Sequence, residues 1–329
     1  MENAAARPVV ASRHNLLLQL PLAAPLSPSN AQAVQEAVER TTDELAVFVV
    51  LADMATASQV SCGWTQMQRR IAELYAVASA AAATSGNADL DVDVVPLDFC
   101  AYSVDDMAPY RANTTLLASS TDLPRWWPAE MHNNAAPICL GAASHSSRVS
   151  QSPRTPVPWT SYAHVTVGGT FDHLHVGHKM LLTATALAAT KRVVCGISAD
   201  ALLENKQYKE LIEPFRTREL NVLLFLRRIR KDIIIELVPI VDRYGPTITD
   251  ATIAALVVSQ ETLPGSDALN VRRAELGMPP MQILPIDLIS EPLGEAAANS
   301  HEPARLKVSS SAIRAALAQR HQFSNNGGH

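Results

Sequence analysis

The feature that most constrains the fold is a regular alternation of apolar runs and amphipathic segments in the second half of the chain. Apolar runs at residues 192–197, 233–238 and 253–258 are typical of strands that are buried on both faces. Residues 215–230 lie between two of these runs and carry leucines at helical spacing. This alternation predicts an α/β fold, a doubly wound parallel sheet that binds its ligands at the carboxyl ends of the strands.

The first half alternates as well, but it carries no phosphate-binding loop and no recognisable catalytic group. Strands are predicted over residues 15–20, 46–51 and 90–97, and helices over residues 29–42, capped by Ser29, and 64–82. We therefore predict an N-terminal α/β domain of uncertain type. A scaffold or an oligomerisation domain is the plain interpretation, and the sequence does not predict an oligomeric state.

A change of composition separates the two halves. Residues 142–160 are rich in serine, proline and basic residues and show no apolar period, which predicts a linker. A chain of 329 residues is long enough for a domain on either side of it. We expect these domains over residues 1–141 and 161–320, followed by a tail over residues 321–329.

Charge and apolar content exclude some classes of partner. The formal net charge is -5, whereas a nucleic-acid binder usually carries a basic excess, so we expect no nucleic-acid partner. The apolar fraction of 47% is enough to form a core. However, no apolar run reaches the ~18 residues that a membrane span needs, and we expect no membrane span.

Cysteine usage and the N-terminus bear on the compartment. The four cysteines, Cys62, Cys100, Cys139 and Cys195, lack CxxC spacing, which argues against a zinc site and fits small apolar groups in a reducing compartment. We therefore expect a cytoplasmic protein. A mitochondrial presequence is the alternative, because Arg7 and Arg13 lie among alanines, although Glu2 departs from the acid-poor pattern of such segments.

The strongest single motif is GGTFDHLHVGH at residues 168–178, between a predicted strand and a predicted helix. Gly168 and Gly169 allow a sharp turn and a close approach to a ligand. His175 and His178 are three residues apart at the helix start, where free N–H groups attract phosphate. The pair predicts a clamp on a triphosphate. Two histidines could also ligate a metal, but no third ligand is apparent and we predict no metal site in the protein itself.

Four motifs in order give the chain a family resemblance. Thr170-Phe171 with the HVGH of residues 175–178 resembles the (T/H)xGH signature of the nucleotidyltransferase superfamily. Three downstream motifs resemble phosphopantetheine adenylyltransferases of the eukaryotic and archaeal type: NK at 205–206 followed by EPFRTR at 213–218, VVSQET at 257–262, and KVSSSAIR at 307–314. The resemblance covers residues 163–318. It implies a Rossmann-like sheet and transfer of AMP from ATP to phosphopantetheine, which yields dephospho-coenzyme A and pyrophosphate.

The same resemblance assigns roles to residues. It implies His178, His175 and Lys206 as catalytic groups, with Lys209 as the competitor of Lys206. For phosphopantetheine it implies Thr170, Asp172, Lys206 and Tyr244, although an ordinary Gly-Pro turn also explains the sequence after Tyr244. For ATP it implies Gly169, Thr170, Phe171, His175, His178, Ser309, Ser310, Ser311 and Arg314.

Bacterial enzymes carry an arginine pair where this chain has residues 259–262. We assign the electrostatic role of that pair, on the ATP side, to Asn270 and Arg273. Magnesium is expected to bridge the ATP phosphates.

Departures from the resemblance define the alternatives. The sequence shows no GxxxxGK[ST] loop, so we expect no dephospho-coenzyme A kinase domain and a separate kinase as a partner. A cytidylyltransferase acting on a phospho-alcohol is the nearest alternative, although its closing RTEGxST-like motif does not fit residues 307–314. A non-catalytic nucleotide-binding scaffold is a further alternative, which would have lost at least one phosphate-binding residue.

Overall fold

The structure is a computed structural model that describes residues 11–20, 26–51, 64–87, 90–96, 114–116, 160–286 and 309–326. The chain divides into two compact units, residues 1–159 and residues 160–329. Apart from residue 160, the predicted linker over residues 142–160 lies outside the described residues. So do the first ten residues, Cys62, Cys100, Cys139 and Lys307, together with most of the segment after the third strand.

The first unit is a parallel α/β layer. Its elements are β1 (Ala11–Leu20), α1 (Pro28–Glu39), β2 (Thr41–Leu51), α2 (Trp64–Thr84), β3 (Asp91–Pro96) and β4 (Thr114–Leu116). The strands pair in the order β3-β2-β1-β4, and every described pair is parallel. The two helices pack against each other, and α1 buries Ala33, Val34 and Ala37.

Helix α1 begins earlier and ends earlier than predicted. Its cap is Ser27 rather than Ser29, because the Ser27 hydroxyl accepts the amide of Asn30 and Pro28 suits the first helical position. It ends at Glu39 because β1 recruits the following residues into β2, beginning with the Ala11–Thr41 pair. Tertiary pairing therefore overrides the helical pattern of residues 40–42.

The second unit holds the motif-bearing half of the chain. Its elements are β5 (Tyr162–Gly169), α3 (Val176–Ala188), β6 (Ala189–Ser198), α4 (Phe215–Ile229), β7 (Ile234–Ile240), β8 (Ala255–Ser259), α5 (Asp267–Glu275), β9 (Gln282–Ile286) and α6 (Ser310–Asn326). The described strands form one parallel sheet in the order β7-β6-β5-β8-β9. This confirms the predicted α/β fold of the C-terminal half.

The strand order of this sheet reverses between β5 and β8. The chain runs outward from β5 through β6 to β7, and then returns to the other side of β5 with β8 and β9. Crevices at such reversals are where open α/β sheets bind ligands. Because the glycine motif directly follows β5, it lies at this point.

Two helix ends in the second unit differ from the prediction. The sequence pattern after the glycine motif predicts a helix over residues 177–190, but α3 ends at Ala188, because Ala189 pairs with Tyr162 and starts β6. Helix α6 continues to Asn326, well into the predicted tail. No proline or glycine interrupts it before Gly327, so nothing in the sequence stops the helix sooner.

The core of the second unit is formed by the central strands. Val165, Val167, Val193 and Ile197 are fully buried, as the continuous apolar runs predict. Cys195 lies among them, and burial raises the pKa of its thiol, as expected of an apolar cysteine. None of the described helices combines the length and apolarity required for a bilayer crossing.

Candidate active site

The loop between β5 and α3 has an unusual backbone. Phe171 and His173, on either side of Asp172, both adopt left-handed conformations, with φ of 52° and 46°. Bulky residues seldom adopt this region because of steric crowding, and they remain there only where surrounding contacts hold them. The loop is therefore held in place by its neighbours.

The first set of neighbours comes from the EPFRTR segment. Arg218 is fully buried on α4, and its Nη1 donates to the carbonyls of Thr170 (2.8 Å) and Ser198 (2.9 Å). Glu213 accepts the amide of His173 at Oε2 (2.6 Å) and donates its own amide to Asp172 Oδ1 (2.8 Å). The carbonyl of Glu213 in turn accepts from Arg218 Nε (2.9 Å). These bonds fix the glycine loop to the start of α4.

The second set of neighbours comes from the start of α6. Ser310 Oγ donates to the carbonyl of Asp172 (2.9 Å), and Arg314 Nη1 donates to Asp172 Oδ2 (2.5 Å). Arg314 Nε also donates to the carbonyl of Gln207 (3.1 Å). The side chains of Asp172 and Arg314 are 0% and 2% exposed, so this is a buried ion pair. Residues more than 130 positions apart thus meet at one aspartate.

The two motif histidines lie side by side on this framework. Their ring centroids are 3.9 Å apart with 22° between the planes, a stacked arrangement. The Phe171 ring packs against His178 at 5.3 Å, and the Nε2 atom of His175 lies 3.3 Å from Ser310 Oγ. The Nδ1 atoms of both histidines are buried without a hydrogen-bond partner among the described residues. Each ring therefore has one nitrogen that no described protein group engages.

Both imidazoles are neutral near physiological pH. Burial lowers the pKa of His175 from 6.5 to about 4, against the opposing effect of Asp172. Burial also lowers the pKa of His178 well below 6.5, and the charges of His175 and Lys206 lower it further. Two rings stacked this closely would repel each other if both were charged. An approaching anion would favour protonation of one of them.

Lys206 is a cation of the neighbouring loop. It follows β6, is exposed, and lies close enough to His178 to affect its pKa. Among the described residues it has no carboxylate partner, whereas Lys209 Nζ pairs with Glu204 Oε2 at 2.8 Å. This difference favours Lys206 over Lys209 as the group that meets a second anion.

Three of the predicted ligand residues are engaged by the protein itself in the described structure. Asp172 was predicted to contact phosphopantetheine and Arg314 to contact ATP, but each is buried and satisfies the other. A buried carboxylate requires a charged partner, and Arg314 provides it. Phe171, another predicted ATP contact, is also fully buried and supports the His178 ring instead.

The predicted replacements of the bacterial arginine pair, Asn270 and Arg273, are likewise engaged by the protein itself. Arg273 is fully buried, and its guanidinium donates to carbonyls that include those of Pro279 (2.7 Å) and Ile253 (3.2 Å). The Asn270 side chain exchanges two hydrogen bonds with the backbone of Met281. Arg273 thus joins α5 to the segments that precede β8 and β9, and Asn270 joins it to the start of β9. The polar groups of both side chains are occupied by these bonds.

The remaining predicted residues lie at the same edge of the sheet. A side chain on Gly169 would come within 3.0 Å of the Phe171 ring, which explains the glycine. Ser309 and Ser311 are exposed at the start of α6, where Ser309 Oγ caps the amide of Ala312. Tyr244 is half-buried in the loop after β7.

Sequence reasoning missed the roles of Glu213 and Arg218. Their segment, EPFRTR, enters the sequence analysis only through the family resemblance, and its partners lie about 20 to 50 positions away in the sequence. Asp172, His173 and Glu213 are also close enough to share a metal ion. Their atoms are occupied instead, since Asp172 accepts protein donors and His173 Nε2 lies 2.9 Å from the Leu211 carbonyl. We assign no metal to them.

Comparison with known proteins relates the second unit to a known family. Residues 166–316 match the protein-family model described as cytidylyltransferase-like. The fold and the site thus define a Rossmann-type nucleotidyltransferase.

Individual relatives show which family of nucleotidyltransferases the chain resembles. The chain is 48% identical over 153 residues to an uncharacterized protein of Schizosaccharomyces pombe, covering 46% of this chain and 48% of that protein. It is 46% identical over 127 residues to the phosphopantetheine adenylyltransferase of Saccharomyces cerevisiae, covering 38% and 42%. It is 39% identical over 132 residues to the phosphopantetheine adenylyltransferase of Methanopyrus kandleri, covering 40% of this chain and 83% of that protein. The chain belongs to the phosphopantetheine adenylyltransferase family, and it spans about half the length of its two fungal relatives.

Replacing Arg314 by methionine should destabilise the second unit by about 3–5 kcal/mol, because Asp172 would remain buried without its charged partner. Native-state hydrogen exchange of the β5 and β6 amides in the full chain would measure this unit separately. As a control, Arg216→Met removes only an exposed pair with Glu219 and should cost less than about 1 kcal/mol. Equal effects of the two substitutions would contradict the assigned role of Arg314.

Proposed function

We propose that this chain transfers AMP from ATP to phosphopantetheine, forming dephospho-coenzyme A and pyrophosphate. The observation that supports it most is the convergence of three distant motifs at the carboxyl edge of the sheet. The His175–His178 pair contacts Ser310 of α6, and the charge of Lys206 reaches His178. Imidazoles, hydroxyls and an amine are groups suited to two phosphorylated substrates.

The chemistry needs alignment more than a base. A phosphate oxygen of phosphopantetheine attacks the α-phosphorus of ATP, and the bond from that phosphorus to the bridging oxygen of the β-phosphate breaks. Pyrophosphate leaves with the electron pair. Because the nucleophile is already an anion, the protein has only to position two anions and stabilise the charge that grows during transfer.

The residues divide between the two substrates. On the ATP side we place His175, the backbone at Gly169, and the hydroxyls of Ser309, Ser310 and Ser311. On the phosphopantetheine side we place Lys206 and Tyr244, with Thr170 where the two substrates meet. His178 lies between the two sides, stacked on His175 and within the field of Lys206, which suits a donor to the transferring phosphoryl group.

The neutral state of the histidines supports this assignment. A neutral imidazole still has one N–H to donate, and it does not repel Lys206 before substrates arrive. As phosphate oxygens approach, their negative charge raises the pKa of the imidazoles again. The site can therefore gain positive charge at the moment when negative charge accumulates.

Magnesium fits this site only through the substrate. The carboxylates of Asp172 and Glu213, beside the glycine loop, already accept hydrogen bonds from protein donors, which leaves imidazoles, hydroxyls and an amine for the ligand. Imidazoles and an amine suit phosphate rather than magnesium, which is bound in proteins mainly through carboxylates, substrate phosphates and water. Magnesium would therefore be held by ATP phosphates and water, and would neutralise phosphate charge.

Two further expectations stay predictions. One is the completion of coenzyme A by a separate kinase, and the other is a cytoplasmic or mitochondrial location.

A pyrophosphate-release assay tests the function directly. With phosphopantetheine and magnesium, we expect release from ATP at least about a hundredfold faster than from CTP, the discrimination that a site with specific base contacts can reach. Mass spectrometry should detect dephospho-coenzyme A. Faster turnover of CTP with a phospho-alcohol would support the cytidylyltransferase alternative, and ATP binding without product would support the scaffold alternative.

His178→Ala should lower kcat by at least about a hundredfold, because it removes a donor to the transferring phosphoryl group. Hydrogen exchange of the α3 and β5 amides should stay close to that of the wild-type chain, which would separate loss of catalysis from loss of folding. A variant with near wild-type kcat would show that His178 does not act on the transition state.

Lys206→Ala should raise the KM for phosphopantetheine about tenfold or more, as expected for loss of a charge-assisted hydrogen bond, and change the KM for ATP by less than about threefold. Lys209→Ala is the matched control, because Lys209 belongs to the same loop but pairs with Glu204. Steady-state kinetics with each substrate varied in turn would measure both KM values in the two variants. The reverse ranking of the two lysines would assign the contact to Lys209.

A further inference from the structure

A short chain of hydrogen bonds connects the glycine loop, α6 and the motif histidines. Ser310 Oγ lies 2.9 Å from the carbonyl oxygen of Asp172 and 3.3 Å from His175 Nε2. The predicted site assigns Ser310 and His175 to ATP and Asp172 to phosphopantetheine, so this chain of hydrogen bonds joins residues predicted for both substrates. Their contact raises the question of where the protons lie.

The order of protons along this chain follows from the chemistry of its end. A backbone carbonyl can only accept, so the one hydroxyl proton of Ser310 is donated to Asp172. The Ser310 oxygen is then left with lone pairs only, and His175 Nε2 has to donate to it. We propose that Ser310 is a positioning residue that holds the neutral His175 ring in the tautomer protonated on Nε2.

The direction of the Ser310 hydroxyl is itself fixed by the fold. Its acceptor, the Asp172 carbonyl, lies between the left-handed residues Phe171 and His173 and cannot turn away without disrupting both. The Asp172 side chain is held by Arg314, which is one turn beyond Ser310 on the same helix. Ser310 and Arg314, four residues apart on α6, therefore both bind Asp172. The Ser310 hydroxyl proton has a single well-defined acceptor, the Asp172 carbonyl.

The tautomer determines what His175 offers to a ligand. Its Nδ1 atom is the bare nitrogen, buried and without a hydrogen-bond partner among the described residues. Its only N–H, on Nε2, donates to Ser310. An anion that enters between the ring and the hydroxyl would accept a hydrogen bond from this N–H without a rearrangement of the ring. This consequence rests on the proposed function, whereas the tautomer itself does not.

The lowered pKa of His175 makes the experiment practicable. With a pKa of about 4, the ring is neutral near pH 7, where neutral tautomers can be distinguished. Long-range proton–nitrogen correlation spectra of the full chain with ¹⁵N-labelled histidine report which ring nitrogen carries hydrogen. The His175 signals are assigned by their disappearance in His175→Gln.

Three variants separate the proposed role from general effects. Ser310→Ala should abolish the single Nε2-protonated pattern of His175 and give a mixture of tautomers or mainly the Nδ1-protonated form. Ser310→Thr keeps a hydroxyl and should retain the pattern. Ser309→Ala is the matched control, because Ser309 caps Ala312 and does not contact His175, so its spectrum should keep the pattern as well.

Two outcomes would overturn the proposal: a wild-type His175 protonated mainly on Nδ1, or an unchanged Nε2 pattern in a folded Ser310→Ala variant. The first can be read from the wild-type chain alone, even if the variant does not fold. As a second readout, kcat/KM for ATP should fall about tenfold in Ser310→Ala, the factor for one lost hydrogen bond, and largely recover in Ser310→Thr. If the chain transfers no AMP, the spectra still decide the tautomer, so the two proposals fail separately.

Discussion

The buried carboxylate of Asp172 is the interaction on which the rest of the site depends. It accepts the Glu213 amide on one oxygen and Arg314 on the other, while its own carbonyl accepts from Ser310. Removing a carboxylate from water is costly, and these partners offset that cost only when all three segments are in place. The aspartate therefore ties the glycine loop, the start of α4 and the start of α6 into one unit.

This arrangement explains how a strained loop can serve a catalytic site. Left-handed Phe171 and His173 direct the backbone so that the Phe171 ring lies under His178, and Gly169 leaves room for that ring. The histidines are then held by packing rather than by ion pairs, and burial lowers their pKa. A site preorganised in this way needs little rearrangement when phosphates arrive.

Most arginines of the family motifs turn out to be structural. Arg218, Arg273 and Arg314 are all buried and donate mainly to backbone carbonyls or to Asp172. A motif arginine near a phosphate site naturally suggests a phosphate ligand, but Arg314 and Arg273 donate to protein acceptors in the described structure. The planar guanidinium has enough donors to satisfy several carbonyls at once, which suits it to joining loops whose polar groups would otherwise be buried unpaired.

The sequence by itself determined the parallel α/β fold, nearly all strands, and the convergence expected of His175, His178 and Ser310. These follow from local periods and from the rule that parallel strands end at one edge. Tertiary structure alone decided that α1 ends before residue 41, that Asp172 and Arg314 face each other, and that Lys206 rather than Lys209 is unpaired among the described residues. The reason is physical: burial and partner choice depend on segments distant in sequence, and a residue type does not record whether its charge will meet solvent, a substrate or another buried charge.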